Sequence, residues 1–394
     1  MLTVRRLIAV GGIFMLAAVF TSAYVLGEPA RDAKRSRPDE KAAKDSDFVT
    51  DDATASRFGG TPLLLYQTKE GDRLFALQVQ PVLAAAKARP RDLVVLVDTT
   101  ASQAGGHLLT AQKLVEALVA KLGDDDRVLL RTVNIKSADL SRGFQPARKL
   151  DAALAALRNE LPMGAADLPT ALKEAVKSFD GARDRQKAIV YLGDGMSIRN
   201  PLGPTDVPAL ADAMLQDHIA FVPVPVGPRL DPTTLHGLAS RTGGAAVRLS
   251  AKAEMATLAK DVLDTLAVPV LYGASIELPA EVADHYPTKL PPLRGDAPTL
   301  LVGHIKPTNK KLTYTLKGTM DGQELTRNVE LDVPAPDGDH FFLAGMVRQW
   351  QNAKDQPALI RADRALAFAL EQNQLASGDL MAQGEWALRE NRYD

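Results

Sequence analysis

LVVLVDTTAS, residues 93–102, sets five apolar and mostly β-branched side chains directly ahead of a carboxylate and spaced hydroxyls. An unbroken apolar run of this length suits a strand buried on both faces, as in a parallel sheet covered by helices. The polar residues fall where that strand would end. Asp98, Thr100 and Ser102 alternate, so a tight loop over the carboxyl edge of the sheet can turn all three oxygens inward. Open α/β sheets bind ligands at that edge. An oxygen-only cluster suits Mg2+ or Mn2+, hard cations that take carboxylate, hydroxyl and water ligands. The first expectation is therefore a divalent-metal site, or its descendant, at the crest of an α/β domain.

The flanking sequence supports that fold class. From about Asp92 to Leu266 strand-like and helix-like patterns alternate, the signature of a doubly wound, mostly parallel sheet. Strands are predicted at 93–97, 128–133, 188–192, 219–226 and 246–249. The first intervening helix is marked by Leu108, Ala111, Leu114, Val115, Leu118 and Leu122 at three- and four-residue spacing. Further helices fit 150–161, 168–179, 207–216, 232–242 and 253–266. Pro223 and Pro225 lack ladder donors, which puts their strand at or near a sheet edge.

After Val268 short strands follow without helices, at 270–278, 299–305, 311–317 and 324–333, and predict a small antiparallel sandwich. Upstream, LLLY and RLFALQV, separated by the turn residues 69–72, form a hairpin that two strands alone would leave marginal. The hairpin is expected to complete the sandwich, which makes the α/β domain an insertion in the β domain. Beyond His340 three helices are predicted, at 341–352, 362–373 and 379–390, with Trp350, Phe368 and Trp386 as core anchors. The last of them, MAQGEWALRENRYD, is similar to the first helix and turn of a tetratricopeptide repeat; a plain helical cap is the other reading.

At the other end, Arg5 and Arg6 precede the uncharged run Leu7–Gly27, close to the ~20 residues a bilayer-spanning helix needs. Residues 1–27 thus read as a single-pass anchor or a cleaved signal peptide. The bulk of the chain is expected outside the cytoplasm, whether membrane-held, secreted or periplasmic. Residues 28–60 are polar, charged and almost free of large apolar side chains, the composition of a solvated tether. The remaining divisions expected are the hairpin at 61–83, the α/β domain at 90–267, the sandwich at 268–335 and C-terminal helices at 338–394.

Composition limits the partners. Of the 394 residues 46% are hydrophobic and 24% charged, which is enough to build cores in two or three domains. A formal net charge of −1 and the lack of a basic cluster interleaved with aromatics argue against nucleic acid. There is no cysteine, hence no disulfide, thiolate metal site or cysteine nucleophile.

The α/β segment resembles the von Willebrand factor type A (VWA) domain. Carrying the resemblance are Asp98-Thr99-Thr100-Ala101-Ser102, Gly164-Ala165-Ala166-Asp167-Leu168, Gly193-Asp194-Gly195 and LHGLASRTGGAAVRL at 235–249, in the family's order. The resemblance implies a metal-ion-dependent adhesion site in which Asp98, Thr100, Ser102 and Asp194 match by type. The family's middle-loop threonine is replaced by Ala166, and Asp167 next to it is the residue that could supply the missing oxygen. It also implies recognition rather than turnover: a bound Mg2+ or Mn2+ accepts an acidic side chain from a partner protein. Strand order and sandwich are similar to proteins related to inter-alpha-trypsin inhibitor heavy chains, also found in bacterial envelopes, without their full upstream vault-inhibitor domain.

Simpler readings stand beside these. Asp98, Asp194, Thr100 and Ser102 could merely cap helix starts. The acidic run Asp124–Asp126 reads as a solvated turn at the opposite edge of the sheet. A scaffold that binds no metal and makes its contacts through the sandwich and C-terminal helices is the alternative function. No hydrolase elbow, zincin, Walker A or dinucleotide motif occurs, the six histidines are scattered, and a Ser102–His107 pair lacks a third group, so no enzyme is expected.

Overall fold

The computed structural model describes residues 57–181, 184–249, 253–307 and 310–389. The expected anchor and nearly all of the expected tether lie outside the described residues. Among the described residues no helix is long and apolar enough to cross a membrane.

A hairpin of β1 (Leu63–Gln67) and β2 (Arg73–Val79) comes first. The α/β region then runs β3 (Arg91–Asp98), α1 (His107–Val119), β4 (Arg127–Val133), β5 (Gln145–Pro146), α2 (Asp151–Arg158) and α3 (Leu168–Lys177). It continues with β6 (Gln186–Gly193), α4 (Asp206–Gln216), β7 (Ile219–Pro225), α5 (Pro232–Thr242) and α6 (Met255–Ala267). Six strands follow: β8 (Val270–Glu277), β9 (Val282–Tyr286), β10 (Leu293–Arg294), β11 (Thr299–Ile305), β12 (Lys311–Met320) and β13 (Gln323–Asp332). Two helices, α7 (Leu343–Asn352) and α8 (Ala362–Arg389), close the described chain.

The α/β sheet has the order β5-β4-β3-β6-β7, its four long strands parallel and the short β5 antiparallel at one edge. Central β3 shows why its sequence is apolar at every position. Leu93, Val95 and Val97 pack with residues of α1, α2 and α6 on one face, while Val94 and Leu96 pack with α3, α4 and α5 on the other. Beneath the sheet the buried Asp92 carboxylate is held by Arg127 Nε at 2.8 Å and by Arg185 Nε at 2.6 Å. Here one element of the acidic run departs from the solvated turn expected of it. Asp126 is buried and accepts from the Arg91 and Gly123 amides at 2.8 and 2.9 Å, locking the turn before β4 to the start of β3.

β7 is an edge strand, as its prolines require, and its outer face also corrects a prediction. Residues 246–249 form no strand. In a parallel ladder the Val247 amide donates to one β7 carbonyl and the Val247 carbonyl accepts from the amide two residues further along β7. The first bond is present, Val247 N to Pro223 O at 2.9 Å; the return donor would be Pro225, which has no N–H. The remaining outward amide, Phe221 N, donates to Thr242 Oγ1 at 3.0 Å, so a side chain covers the edge instead of a strand.

The hairpin β1–β2 joins β11 and β9 in one antiparallel sheet of order β1-β2-β11-β9, and β10-β8-β12-β13 form a second. β2 therefore pairs with a strand more than two hundred residues downstream, through Leu77↔Leu301 and its neighbours. Phe75, Leu77 and Val79, with Leu301 of β11, face the second sheet, where Leu271, Leu312, Tyr314 and Leu316 complete a core. Leu74 and Ala76 face the other way, onto Leu343, Val347, Leu366 and Leu370 of α7 and α8. That three-layer arrangement explains why RLFALQV is apolar at both parities, whereas β12, solvated on one face, alternates. β9 and β10 escape the sequence reading because VADHY mixes in two charged or ionisable residues and β10 is two residues long.

The predicted break after residue 373 is absent: residues 362–389 form one helix of 28 residues. The segment 374–378 contains no proline, and its single Gly378 costs a helix only about 1 kcal/mol. The turn of the tetratricopeptide-like reading falls at 390–394, outside the described residues. Trp350 packs against the helical core, Phe368 is half-buried, and Trp386 is 65% exposed and anchors no core.

Candidate functional site

Parallel pairing of β3 with β6, in the register Val97↔Leu192, releases the loops bearing Asp98 and Asp194 side by side at the sheet crest. Both residues are withdrawn from solvent, at 0% and 2% exposure. Each commits one carboxylate oxygen to its own loop: Asp98 Oδ1 accepts from Thr100 N and Asp194 Oδ1 from Met196 N, both at 2.9 Å. These are Asx turns, in which an aspartate fixes the backbone two residues ahead. The second oxygens face a common point. Gly193 allows the approach, since a Cβ there would lie 2.6 Å from Asp98 Cβ and 2.4 Å from the Tyr191 hydroxyl.

At that point stands the side-chain amide of Gln103, a residue 1% exposed. Its Nε2 lies 3.5 Å from Asp98 Oδ2, 3.4 Å from Asp194 Oδ2 and 3.2 Å from Ser102 Oγ. Ser102 Oγ in turn lies 3.1 Å from Thr100 Oγ1. Beneath them the Tyr191 hydroxyl donates to Asp98 Oδ2 at 3.4 Å and accepts from Gly195 N at 3.2 Å.

Burial is the main force on the titrating groups. It pushes the Asp98 carboxyl up to about 6 from its ordinary 3.8, Asp194's charge adds to this, and hydrogen bonds from Thr100 and Tyr191 hold it back. Burial, followed by the two nearby carboxylates, drives the Tyr191 phenol well above its usual value, so it serves as a neutral donor.

Asp167 is engaged elsewhere. Its Oδ1 caps α3, accepting from Thr170 N at 3.2 Å, and also accepts from Asn200 Nδ2 at 3.0 Å. Partial burial works against its charge, but the Asn200 and Thr170 hydrogen bonds outweigh burial and hold it below the usual carboxylate range. Ala166 is buried, with no side-chain oxygen to offer, and its carbonyl accepts from Arg199 N and Ser197 Oγ. The structure therefore brings together Asp98, Thr100, Ser102 and Asp194, and ties Asp167 to a helix cap.

Whether this donor set fits a divalent cation turns on Gln103. A cation shared by Asp98, Ser102 and Asp194 would sit where the amide nitrogen sits, and an N–H donor cannot ligate it. As folded, the residues do not fit the ion. Among the described residues no group of three or more His, Asp or Glu side chains is placed to hold a metal. Sequence reasoning passed over Gln103, since a lone glutamine after D-T-T-A-S carries no motif; Tyr191, a phenol inside the aliphatic run AIVYL, was a readable signal.

Around this closed centre the crest is apolar and basic. Ile135, Leu161, Met163, Met196, Ile198 and Leu230 are six of the fourteen large apolar side chains exposed among the described residues, and all lie on loops at this edge. Backbone bonds zip those loops together: Met163 N to Thr99 O, Ala101 N to Gly164 O, Arg199 N to Ala166 O and Asp231 N to Asp194 O, at 2.8–3.2 Å. Lys136, Arg199 and Arg229 are exposed on the same loops. Asp231 spends its carboxylate capping α5.

The family model for the von Willebrand factor type A domain matches residues 91–247. Comparison with curated proteins gave no match. Among solved structures the chain is similar to a von Willebrand factor type A protein from Catenulispora acidiphila, at 15% identity and a TM-score of 0.46 over 69% of each chain. It is similar to an aerotolerance-related membrane protein from Bacteroides fragilis, at 16% identity and a TM-score of 0.37 over 45% of this chain and 98% of that one. It is also similar to the ArnB paralog VWA2 from Sulfolobus acidocaldarius, at 13% identity and a TM-score of 0.41 over 83% of this chain and 85% of that one.

Proposed function

Residues 91–247 are a von Willebrand factor type A domain, and from that premise we propose that the crest of this domain binds an acidic, partly apolar segment of a partner protein without a divalent cation. The observation that carries the reading is the gathering of exposed apolar side chains and exposed cations around an acid pair that is itself sealed from solvent. Asp98 and Asp194 lie sealed beneath Gln103 and Asp167 and Asp231 cap helices, so the charged side chains most open to a partner at the rim are Lys136, Arg199 and Arg229. Exposed ion pairs contribute little, about 0.2–1 kcal/mol each. The apolar rim therefore supplies most of the affinity, and the cations supply orientation and encounter rate.

The metal-assisted form of adhesion expected from Asp98, Thr100, Ser102, Asp194 and Asp167 gives way, in this reading, to contact with the rim. Binding, not turnover, is the activity proposed. Ser102 Oγ meets Thr100 Oγ1 and the Gln103 amide, neither of which is a base, and no histidine among the described residues hydrogen-bonds it. The run Leu7–Gly27 is proposed as a tether that holds the domain at a membrane, on its extracytoplasmic side. The likeness to proteins related to inter-alpha-trypsin inhibitor heavy chains stays an expectation from sequence alone.

A second reading, an assembly scaffold, is favoured by the outer half of α8, where Leu375, Leu380, Met381 and Trp386 are exposed. Fluorescence anisotropy separates the two, with labelled amphipathic peptides of matched apolar content, one glutamate-rich and one lysine-rich. Crest recognition predicts that the glutamate-rich peptide binds in EDTA and that Ile198→Asp or Arg199→Glu weakens it by about tenfold or more. Equal binding of both peptides, or binding that requires Mg2+, contradicts it. Sensitivity to Trp386→Ser alone transfers the activity to α8.

A further inference from the structure

We propose that the Gln103 side-chain amide is a built-in replacement for the divalent cation, and that it closes a cation site in which Asp98, Ser102 and Asp194 still turn oxygens to one point. The inference shares its cation-free premise with the crest reading, but its test is Mn2+ binding to the protein alone, so failure of partner binding leaves it standing.

Two buried carboxylates turned toward one point repel each other and lose hydration, a cost that a polypeptide must offset with a cation, a proton or hydrogen-bond donors. Gln103 Nε2 supplies donors. It is within 3.5 Å of an oxygen from each of Asp98, Asp194 and Ser102. With two carboxylates as neighbours only the nitrogen end of the amide can face inward.

The amide is also placed by its own segment. Gln103 ends a short turn, residues 101–103, in which its backbone N–H donates to Thr100 O at 3.0 Å. The same loop is tied across the crest by Ala101 N to Gly164 O at 3.2 Å. The plug thus belongs to the loop that carries Asp98, Thr100 and Ser102.

Removing the amide should uncover the site. Gln103→Ala leaves two carboxylates and two hydroxyls facing a space that water and one Mn2+ can share, since hard cations accept such mixed protein and water shells. Mn2+ binding to the full chain, read by electron paramagnetic resonance of the free ion, is the test. Wild type is expected to leave millimolar Mn2+ free, and Gln103→Ala to bind one ion at least about tenfold more tightly. Adding Asp98→Ala to that variant should abolish the gain. A folded Gln103→Ala protein that binds no better than wild type overturns the proposal. So does a wild type that binds one Mn2+ and loses it on Asp98→Ala; this second titration decides the matter if Gln103→Ala fails to fold.

Discussion

Replacing Asp98 by asparagine should change how stability depends on pH, and the size of the change follows from the site. Asp98 is fully buried, and its carboxyl titrates near 6 in the folded protein, against 3.8 in an unfolded chain. Between those values the folded state holds a proton that the unfolded state has lost. Stability is therefore highest below the unfolded value and falls as pH rises through the folded one. A shift of about two units corresponds to about 3 kcal/mol, at 1.36 kcal/mol per unit, and full burial leaves no solvent screening to discount. Asparagine cannot ionise and removes this loss. It also turns an NH2 toward the Gln103 amide or the Tyr191 hydroxyl, a pH-independent cost of about 1 kcal/mol that leaves the slope untouched. Urea unfolding of both proteins across the range from about pH 4 to about pH 8 is the assay, with the wild-type-minus-variant difference as the quantity read. That difference should move against wild type by about 2 kcal/mol over the range, the rest of the loss falling below pH 4. Curves that stay parallel throughout would refute the reasoning, since they would mean that the buried acid pair is neutralised equally well when ionised.

Three further substitutions test the frame around the site. Asp92→Ala removes the shared carboxylate of Arg127 and Arg185, which keep Asp180 and backbone carbonyls as partners, and should cost about 1–3 kcal/mol in urea unfolding; no measurable loss would show that water replaces the carboxylate without penalty. Gly244→Ala sets a Cβ 1.9 Å from the Phe221 carbonyl oxygen, a backbone clash that must move the chain off the β7 edge. The expected signature is a lower midpoint together with faster exchange of the Phe221 amide, and an unchanged midpoint would mean that this edge is loose. Trp386→Ser, on the exposed half of α8, should alter stability by no more than about 0.5 kcal/mol, and a larger loss would place the indole in a core.

Much of the architecture was legible because burial on two faces leaves an unmistakable record. The run at 93–97 is apolar at both parities since helices cover both sides of β3, and RLFALQV reads the same way for the same reason. Pro223 and Pro225 announced an edge. They also prevented the strand predicted at 246–249, because the donor that would close its ladder is missing, a consequence visible only once β7 has a neighbour. Helices predicted separately at 362–373 and 379–390 run together, because the single Gly378 between them costs only about 1 kcal/mol and does not stop a helix.

The site divides along the same line. Asp98, Thr100, Ser102 and Asp194 could be assembled from the sequence, since the first three lie at or just past the end of β3, the last just past β6, and β3 and β6 pair. What closes them could not. Gln103 is one glutamine with no motif, and its role depends on three oxygens converging from two distant loops. Asp167 shows the converse: adjacent to the expected ligand position, it is drawn to α3 and Asn200 by hydrogen bonds that no spacing rule reveals.

The most direct test is crystallographic. Crystals of the protein grown with excess Mn2+ and measured at the manganese absorption edge should show no anomalous peak between Asp98, Ser102 and Asp194, with Gln103 Nε2 in that place. A manganese ion bound there, with the Gln103 side chain displaced, would contradict the cation-independent crest.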